Sequence, residues 1–261
     1  MDDKGGIDTS VAPEVPHRKV AQALAPLQVS GEHHLCPGCG HPVAWRILLE
    51  VISELELESK AIGVVGHGCY TNIVSLADID FLQCLHGRAP AVATGVKRVQ
   101  PQAAVFTLQG DGDLVSEGLA EVLHAAARRE CITTIMLNNG VFGDTGGQMT
   151  AASVVGQRTK TSLEGRQPDA HGYPVPVADL IATLDGAAFV ARGAVNNAGS
   201  VAATKRLLRR AFELAVAGEG FTFVEVLTMC PTGWFLPTAE GPGYLTDTFE
   251  ATFPLGILKG P

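Results

Sequence analysis

The chain has 261 residues, a formal net charge of −8 and 46% apolar residues. That length and composition fill one large α/β core, and the acidic balance excludes the basic footprint of a nucleic-acid binder. Apolar runs all fall short of a membrane span, and residues 1–30 lack the hydrophobic core of a signal peptide. The expectation is a cytoplasmic protein with reduced cysteines.

Residues 1–30 are polar and proline-bearing and are expected as a flexible N-terminal arm, free or lying on a partner. HLCPGCGH then sets Cys36 and Cys39 in a Pro-Gly turn that leads into a helix at about 42–57. A strand at 61–65 delivers GHGCY, which puts Cys69 at a strand end. LHGRAPAVATGVKRV reads as a loop with His86, Gly87 and Arg88, followed by a helix of small residues packed closely on a sheet. Next, AAVFTLQ is apolar and β-prone, LVSEGLAEVLHAAARR has helical spacing, and CITTIML is β-prone again. Residues 103–137 thus form one strand–helix–strand unit. Residues 143–176 are rich in Gly, Thr, Ser, Gln and Pro, and a loop of that length is usually functional. Beyond it come a helix at 177–184, a short strand at 188–191, a long helix at 199–217 and a strand at 222–227. Cys230 follows in CPTGW. Residues 205–210 are basic with apolar residues at helical spacing, a solvated helix face. The expected organisation is an arm at 1–30, one α/β domain at 31–234 with a mainly parallel sheet and helices on both faces, and an extended C-terminal tail at 235–261.

The central unit carries the first chemistry. A right-handed crossover sets the carboxyl ends of its two strands side by side, where parallel sheets hold ligands. Asp111, in QGDGD, and Asn139, in NNGVFGDTGGQ, therefore converge. A carboxylate and a carboxamide oxygen are hard ligands suited to Mg²⁺, which keeps open positions for the oxygens of a diphosphate, and Gly110 and Gly112 let the backbone approach that group closely. Two plain turns would also explain GDG and NNG; their spacing and their placement at neighbouring strand ends favour the binding site.

The cysteines carry the second. Cys36, Cys39, Cys69 and Cys230 each lie beside glycine or proline at a turn or strand end. Thiolates so placed bind zinc or iron–sulfur clusters. One Cys-x-x-Cys pair with two distant single cysteines fits a [4Fe–4S] cube, whereas structural zinc prefers two such pairs. Thioredoxin-like chemistry at Cys36 and Cys39 fits less well, since no βαβ pattern surrounds them in the required order. Cys84 and Cys131 sit in apolar text and are read as small buried hydrophobes.

The stretch from GDG to NN resembles the thiamine diphosphate fingerprint. Along the chain CPGCGH, GHGC, LHGRA, QGDGD, NN-x-x-FG-x-TGGQM, GQRTKTS, HGYP, FVEVL-x-x-CPTGW and FPLG-x-LK follow in the order found in the β subunits of 2-oxoacid:ferredoxin oxidoreductases. The wording is nearest the branched-chain 2-oxoacid and 2-oxoglutarate subgroup. The resemblance implies Mg²⁺ on Asp111, Asn139 and the backbone oxygen of Val141, and one [4Fe–4S] cluster on Cys36, Cys39, Cys69 and Cys230. It implies a thiamine diphosphate cleft lined by His67, Gly68, Cys69, Tyr70, Gly110, Gly112, Asp113, Gly143 and Asp144. His86 and Arg88 are expected near the diphosphate or the substrate carboxylate. Two positions depart from the family: Asp144 stands where methionine or leucine is usual under the thiazolium, and Gly146 stands where some relatives have a lysine linked to coenzyme A.

The implied reaction is attack on the carbonyl carbon of a 2-oxoacid, loss of CO₂, two single-electron steps through the cluster and transfer of the acyl group to coenzyme A. The substrate class spans branched-chain, 2-oxoglutarate-like and aryl 2-oxoacids. Ferredoxin is the expected acceptor, with a flavin and NAD module as the other route. The glutamate that activates the cofactor is expected on a separate α subunit carrying a pyrimidine-binding domain, with a γ or ferredoxin-like subunit completing the complex. Two other readings use part of this text: a cluster-free thiamine diphosphate decarboxylase or lyase, and a non-catalytic, zinc-stabilised assembly subunit.

Overall fold

A computed structural model describes residues 32–261, and the arm expected at 1–30 lies outside the described residues. The strands are β1 (Ala61–Val65), β2 (Asp80–Gln83), β3 (Ala104–Gly110), β4 (Thr133–Asn138), β5 (Val141–Phe142), β6 (Gln148–Met149), β7 (Ala187–Ala194), β8 (Phe221–Leu227) and β9 (Gly256–Lys259). The helices are α1 (His41–Glu54), α2 (Ala89–Val99), α3 (Leu119–Ala127), α4 (Pro168–His171), α5 (Val177–Ala182), α6 (Ala198–Val216), α7 (Pro231–Trp234) and α8 (Gly241–Tyr244). Seven strands form one sheet in the order β2-β1-β3-β4-β8-β7-β9. All neighbours run parallel except β9, which is antiparallel to β7.

Helices α1 and α6 pack on one face, and α2, α3 and α5 on the other. That double cover explains why β4 and β8 are buried along their whole length and read as apolar runs rather than alternating ones. Phe106 on β3 meets Phe81 and Phe212 edge-on, and fully burying such a ring stabilises by about 1.5–3 kcal/mol.

Three segments differ from the reading of the sequence. The single helix expected across 114–129 splits into a π-helical turn at Gly112–Ser116 and α3, with the break at Gly118, a residue about 1 kcal/mol poorer than alanine in a helix interior. β2 had no signal of its own, being a short edge strand with mostly exposed side chains. Residues 235–261, expected as an extended tail, instead wind through α8 and a π-helical turn at Leu245–Glu250 and then form β9. Leu245, Phe249 and Phe253 are all buried. Their four-residue spacing is a helical stripe hidden among glycine, proline and threonine.

Glu225 and Arg192 form a buried ion pair between β8 and β7, with Nε to Oε2 at 2.7 Å. Arg192 also donates to Asp179 at 2.8 Å and to the Pro254 carbonyl at 3.0 Å. The other oxygen of Glu225 accepts from Asn138 Nδ2 at 2.7 Å. The core's charged pair is thereby tied to the first residue of the Asn-Asn turn.

Candidate functional site

Asp111 follows β3 and Asn139 follows β4, and these strands are parallel neighbours. The two residues meet: Asn139 N–H donates to Asp111 Oδ1 at 3.3 Å. Thr150 donates its hydroxyl to the other carboxylate oxygen, and Val141 N–H donates to Asn139 Oδ1 at 3.1 Å. Asp111 is 1% exposed, and burial pushes its carboxyl up to about 7. A buried carboxyl with a carboxamide beside it and no basic side chain paired to it is a donor set that suits a hard divalent cation.

Asn139 is held from two further directions. His41 Nε2 lies 3.4 Å from Asn139 Nδ2, and Trp234 Nε1 donates to the Asn139 carbonyl at 2.7 Å. His41 closes CPGCGH and Trp234 closes CPTGW, so both cysteine motifs grip the residue expected to hold the metal. Burial lowers the His41 pKa to about 4, which leaves a neutral imidazole.

Above this end, a cleft is lined by His67, Gly68, Cys69, Tyr70, His86, Gly110, Asp111, Gly112, Asp113, Asn139, Val141, Gly143 and Asp144, among others. All the cleft residues expected from the sequence are therefore brought together. Asp113 accepts from the Tyr70 hydroxyl and from Gly87 N–H, and His86 Nδ1 lies 3.7 Å from its Oδ1. Burial raises the pKa of Asp113, while Tyr70 and Gly87 pull it back. His67 stacks edge-on against His86 at 5.5 Å. Arg88 lies elsewhere: it precedes α2, its side chain is 49% exposed, and it pairs with Glu121 on α3.

The four cysteines come from three places. Cys36 and Cys39 share a turn, with Cys39 N–H donating to the Cys36 carbonyl at 3.1 Å, and Gly40 N–H docks that turn on the Met229 carbonyl at 2.9 Å. Cys69 opens the 3₁₀ turn after β1, and Cys230 follows β8. All four line one cavity of about 590 Å³. Burial pushes Cys39 up to about 11 and Cys230 up to about 12, and burial followed by the Asp144 carboxylate pushes Cys69 up to about 12. Among the described residues no three His, Cys, Asp or Glu side chains converge closely enough to hold a single metal ion. Four thiols lining one cavity are a donor set that suits a polynuclear cluster. Cys84 and Cys131 are half-buried and line neither cavity.

Cleft and cavity share a wall. His41, Cys69, Asn139, Gly143 and Asp144 line both. A Cβ on Gly143 would lie 3.4 Å from Cys69 Sγ and 3.8 Å from Cys230 Sγ, so a glycine there keeps the partition thin. Sequence reasoning missed His41, Thr150 and Trp234. His41 and Trp234 stood inside quoted motifs without a role, and Thr150 had no signal. It also missed Lys160, whose Nζ lies 3.5 Å from where a Gly146 Cβ would be; a lysine thus reaches the place where Gly146 offers no side chain.

The family described as thiamine pyrophosphate enzyme, C-terminal TPP binding domain, matches residues 67–226. The ketoisovalerate oxidoreductase subunit VorA of Methanothermobacter thermautotrophicus is 36% identical over 222 residues, covering 85% of this chain and 46% of that protein. The chain thus spans about half the length of the first curated relatives it matches. The 2-oxoglutarate synthase subunit KorB of Archaeoglobus fulgidus is 32% identical over 215 residues, covering 82% of this chain and 76% of that one. The structure of a 2-oxoglutarate:ferredoxin oxidoreductase from Magnetococcus marinus, with 2-oxoglutarate, coenzyme A and succinyl-CoA bound, superposes with a TM-score of 0.76 at 25% identity, over 90% of this chain and 84% of that one. With a thiamine diphosphate domain over most of its length and a KorB relative covered over three quarters of its own, the chain belongs to the thiamine diphosphate-binding β subunits of the 2-oxoacid:ferredoxin oxidoreductase family.

Proposed function

We propose that this chain acts in the oxidative decarboxylation of a 2-oxoacid to acyl-CoA and CO₂, with electrons leaving through a [4Fe–4S] cluster to ferredoxin. One observation carries the reading: the diphosphate-type cleft and the four-cysteine cavity share a wall that includes Cys69, Gly143 and Asp144. A cluster-free lyase has no use for the second chamber, and a zinc-stabilised assembly subunit has no use for the first.

When bound, thiamine diphosphate supplies the carbon nucleophile for the 2-oxo carbon, Mg²⁺ neutralises the diphosphate, and the cluster takes electrons singly. The chain's own residues do the positioning. Asp111, Asn139 and the Val141 carbonyl would hold the Mg²⁺, and Cys36, Cys39, Cys69 and Cys230 the cluster. Tyr70 and Gly87 N–H pin Asp113 at the cleft wall, and His86, facing His67 across an edge contact, is the candidate for orienting the substrate carboxylate. Arg88 acts there only if its pairing with Glu121 gives way. Lys160 has no carboxylate partner among the described residues and lies at the cysteine cavity. It is the candidate cation for a phosphate of coenzyme A.

An α subunit with the pyrimidine-binding domain is the proposed partner, with a γ or ferredoxin-like subunit beyond it. Leu82 on β2 and Leu85, which precedes His86 in the chain, are 45% and 75% exposed, apolar surface suited to a partner chain. No helix among the described residues is long and apolar enough to cross a membrane, and the cytoplasm is the proposed site of action.

The test is anaerobic purification of the chain with its co-expressed partners, followed by assay of iron, acid-labile sulfide, zinc and thiamine diphosphate on one sample. A panel of branched, linear and aryl 2-oxoacids is then offered with coenzyme A and ferredoxin. About four iron and four sulfide per chain, bound thiamine diphosphate and ferredoxin reduction that depends on coenzyme A are expected. Zinc without sulfide, or thiamine diphosphate without iron, would overturn the proposal.

A further inference from the structure

The partition between the two chambers carries a charge. Asp144 Oδ1 lies 3.9 Å from Cys69 Sγ, and Asp144 lines both the cofactor cleft and the cysteine cavity. Among the described residues lining the cysteine cavity, Asp144 is the one carboxylate; the other ionisable groups there, apart from the four thiols, are His34, His41 and Lys160. Asp111 and Asp113 face the cleft but not that cavity. The carboxylate is on a loop residue, and it accepts no hydrogen bond from any described side chain other than Cys69. It is thus not a strut of the fold.

We infer that Asp144 is a tuning residue that holds the reduction potential of the cluster low by placing a fixed negative charge beside the Cys69 sulfur. The inference rests on the cluster assignment made above. Reduction adds one electron, and so one negative charge, to the cluster. A neighbouring carboxylate opposes that charge and stabilises the oxidised form, because like charges a few ångströms apart repel even at an exposed position. A cluster tuned in this way passes its electron more readily to an acceptor of low potential. Cys69 is the ligand that faces the cleft, so the same carboxylate acts on the sulfur nearest the point of electron entry.

The experiment is a dithionite redox titration, followed by electron paramagnetic resonance, of the purified complex carrying wild-type chain, Asp144→Asn, Asp144→Met or Asp144→Glu, with iron and sulfide measured on each. The two neutral variants should shift the one-electron equilibrium towards the reduced cluster by tenfold or more, which is a rise of about 59 mV, and Asp144→Glu should stay near wild type. Full cluster content with an unchanged potential in both neutral variants would overturn the inference. So would loss of the cluster from both neutral variants with retention in Asp144→Glu, which would make Asp144 a structural support. Absence of iron and sulfide from the wild-type complex would bring down the cluster assignment itself, and is recognised before any variant is made.

Discussion

The indole N–H of Trp234 donates to the backbone carbonyl of Asn139 at 2.7 Å, so a residue four positions after a cysteine holds the turn expected to carry the metal. Trp234 is buried and stacks on Tyr244 and Phe249. The C-terminal helical segment, the cysteine motif and the Asn-Asn turn therefore share one contact set. Trp234→Phe keeps most of the packing and removes the donor, leaving a buried carbonyl short of a partner at about 1–3 kcal/mol. Thermal unfolding should show that loss, and thiamine diphosphate binding, measured by calorimetry in the presence of Mg²⁺, should weaken by about tenfold. Iron content should fall as well, since Cys230 opens the same short helix.

His41 and Asp111 respond to pH in opposite directions in metal-free protein. The unfolded chain protonates His41 below about 6.5 and the folded chain only below about 4, so this residue's contribution is lost as pH falls from 6.5 to 4. Asp111 is protonated in the folded state up to about 7 and in the unfolded state only below about 3.8, so its contribution is lost as pH rises from 4 to 7. Each is worth roughly 3–5 kcal/mol over its window, at about 1.4 kcal/mol per pKa unit. Urea unfolding in EDTA between pH 4 and 7 should separate the two groups by the opposite slopes of their variants relative to wild type. His41→Gln should become less stable with rising pH and Asp111→Asn less stable with falling pH. Saturating Mg²⁺ and thiamine diphosphate should hold Asp111 ionised and make wild type behave like Asp111→Asn.

Asp111 and Asn139 were legible because they close neighbouring parallel strands, and topology alone brings such positions together. The four cysteines were legible for a related reason: each ends a strand or opens a turn, where side chains face the carboxyl edge of the sheet. What escaped was whatever depends on packing between distant segments. His41 is apolar-face text for α1 until the Asn139 carboxamide is placed against it. Arg88 sits two residues from His86 in sequence, yet the start of α2 turns it towards Glu121. The tail residues Leu245, Phe249 and Phe253 show their periodicity only when the glycines and prolines around them are ignored.

Glu225 is the acidic residue of FVEVL, a position that reads as strand interior, and its charge is answered by Arg192 at 2.7 Å. Glu225→Gln leaves a buried guanidinium with Asp179 as its remaining carboxylate, and unfolding should show a loss of about 3–5 kcal/mol. The double variant Arg192→Met, Glu225→Leu replaces both charges with apolar volume and should recover most of that loss. Its cofactor affinity should nevertheless fall below that of Glu225→Gln, because leucine, unlike glutamine, leaves Asn138 without the acceptor that anchors the Asn-Asn turn.

Arg166 holds the long loop from inside. The residue is 5% exposed, and its guanidinium donates to the carbonyls of Thr150, Ala151, Ser153, His171, Gly172 and Tyr173. No carboxylate shares it among the described residues, so its charge is satisfied by backbone dipoles alone. Lysine offers three donors on a single nitrogen and cannot reproduce that fork. Arg166→Lys should therefore destabilise by about 3 kcal/mol, since several buried carbonyls lose their donor together, and limited proteolysis should cut between residues 150 and 173 where the wild type resists. Thr150 links this loop to Asp111 through its hydroxyl. Mg²⁺-dependent thiamine diphosphate binding should weaken in the same variant, with cluster content unchanged, because the cysteine turns lie outside the span that Arg166 ties together.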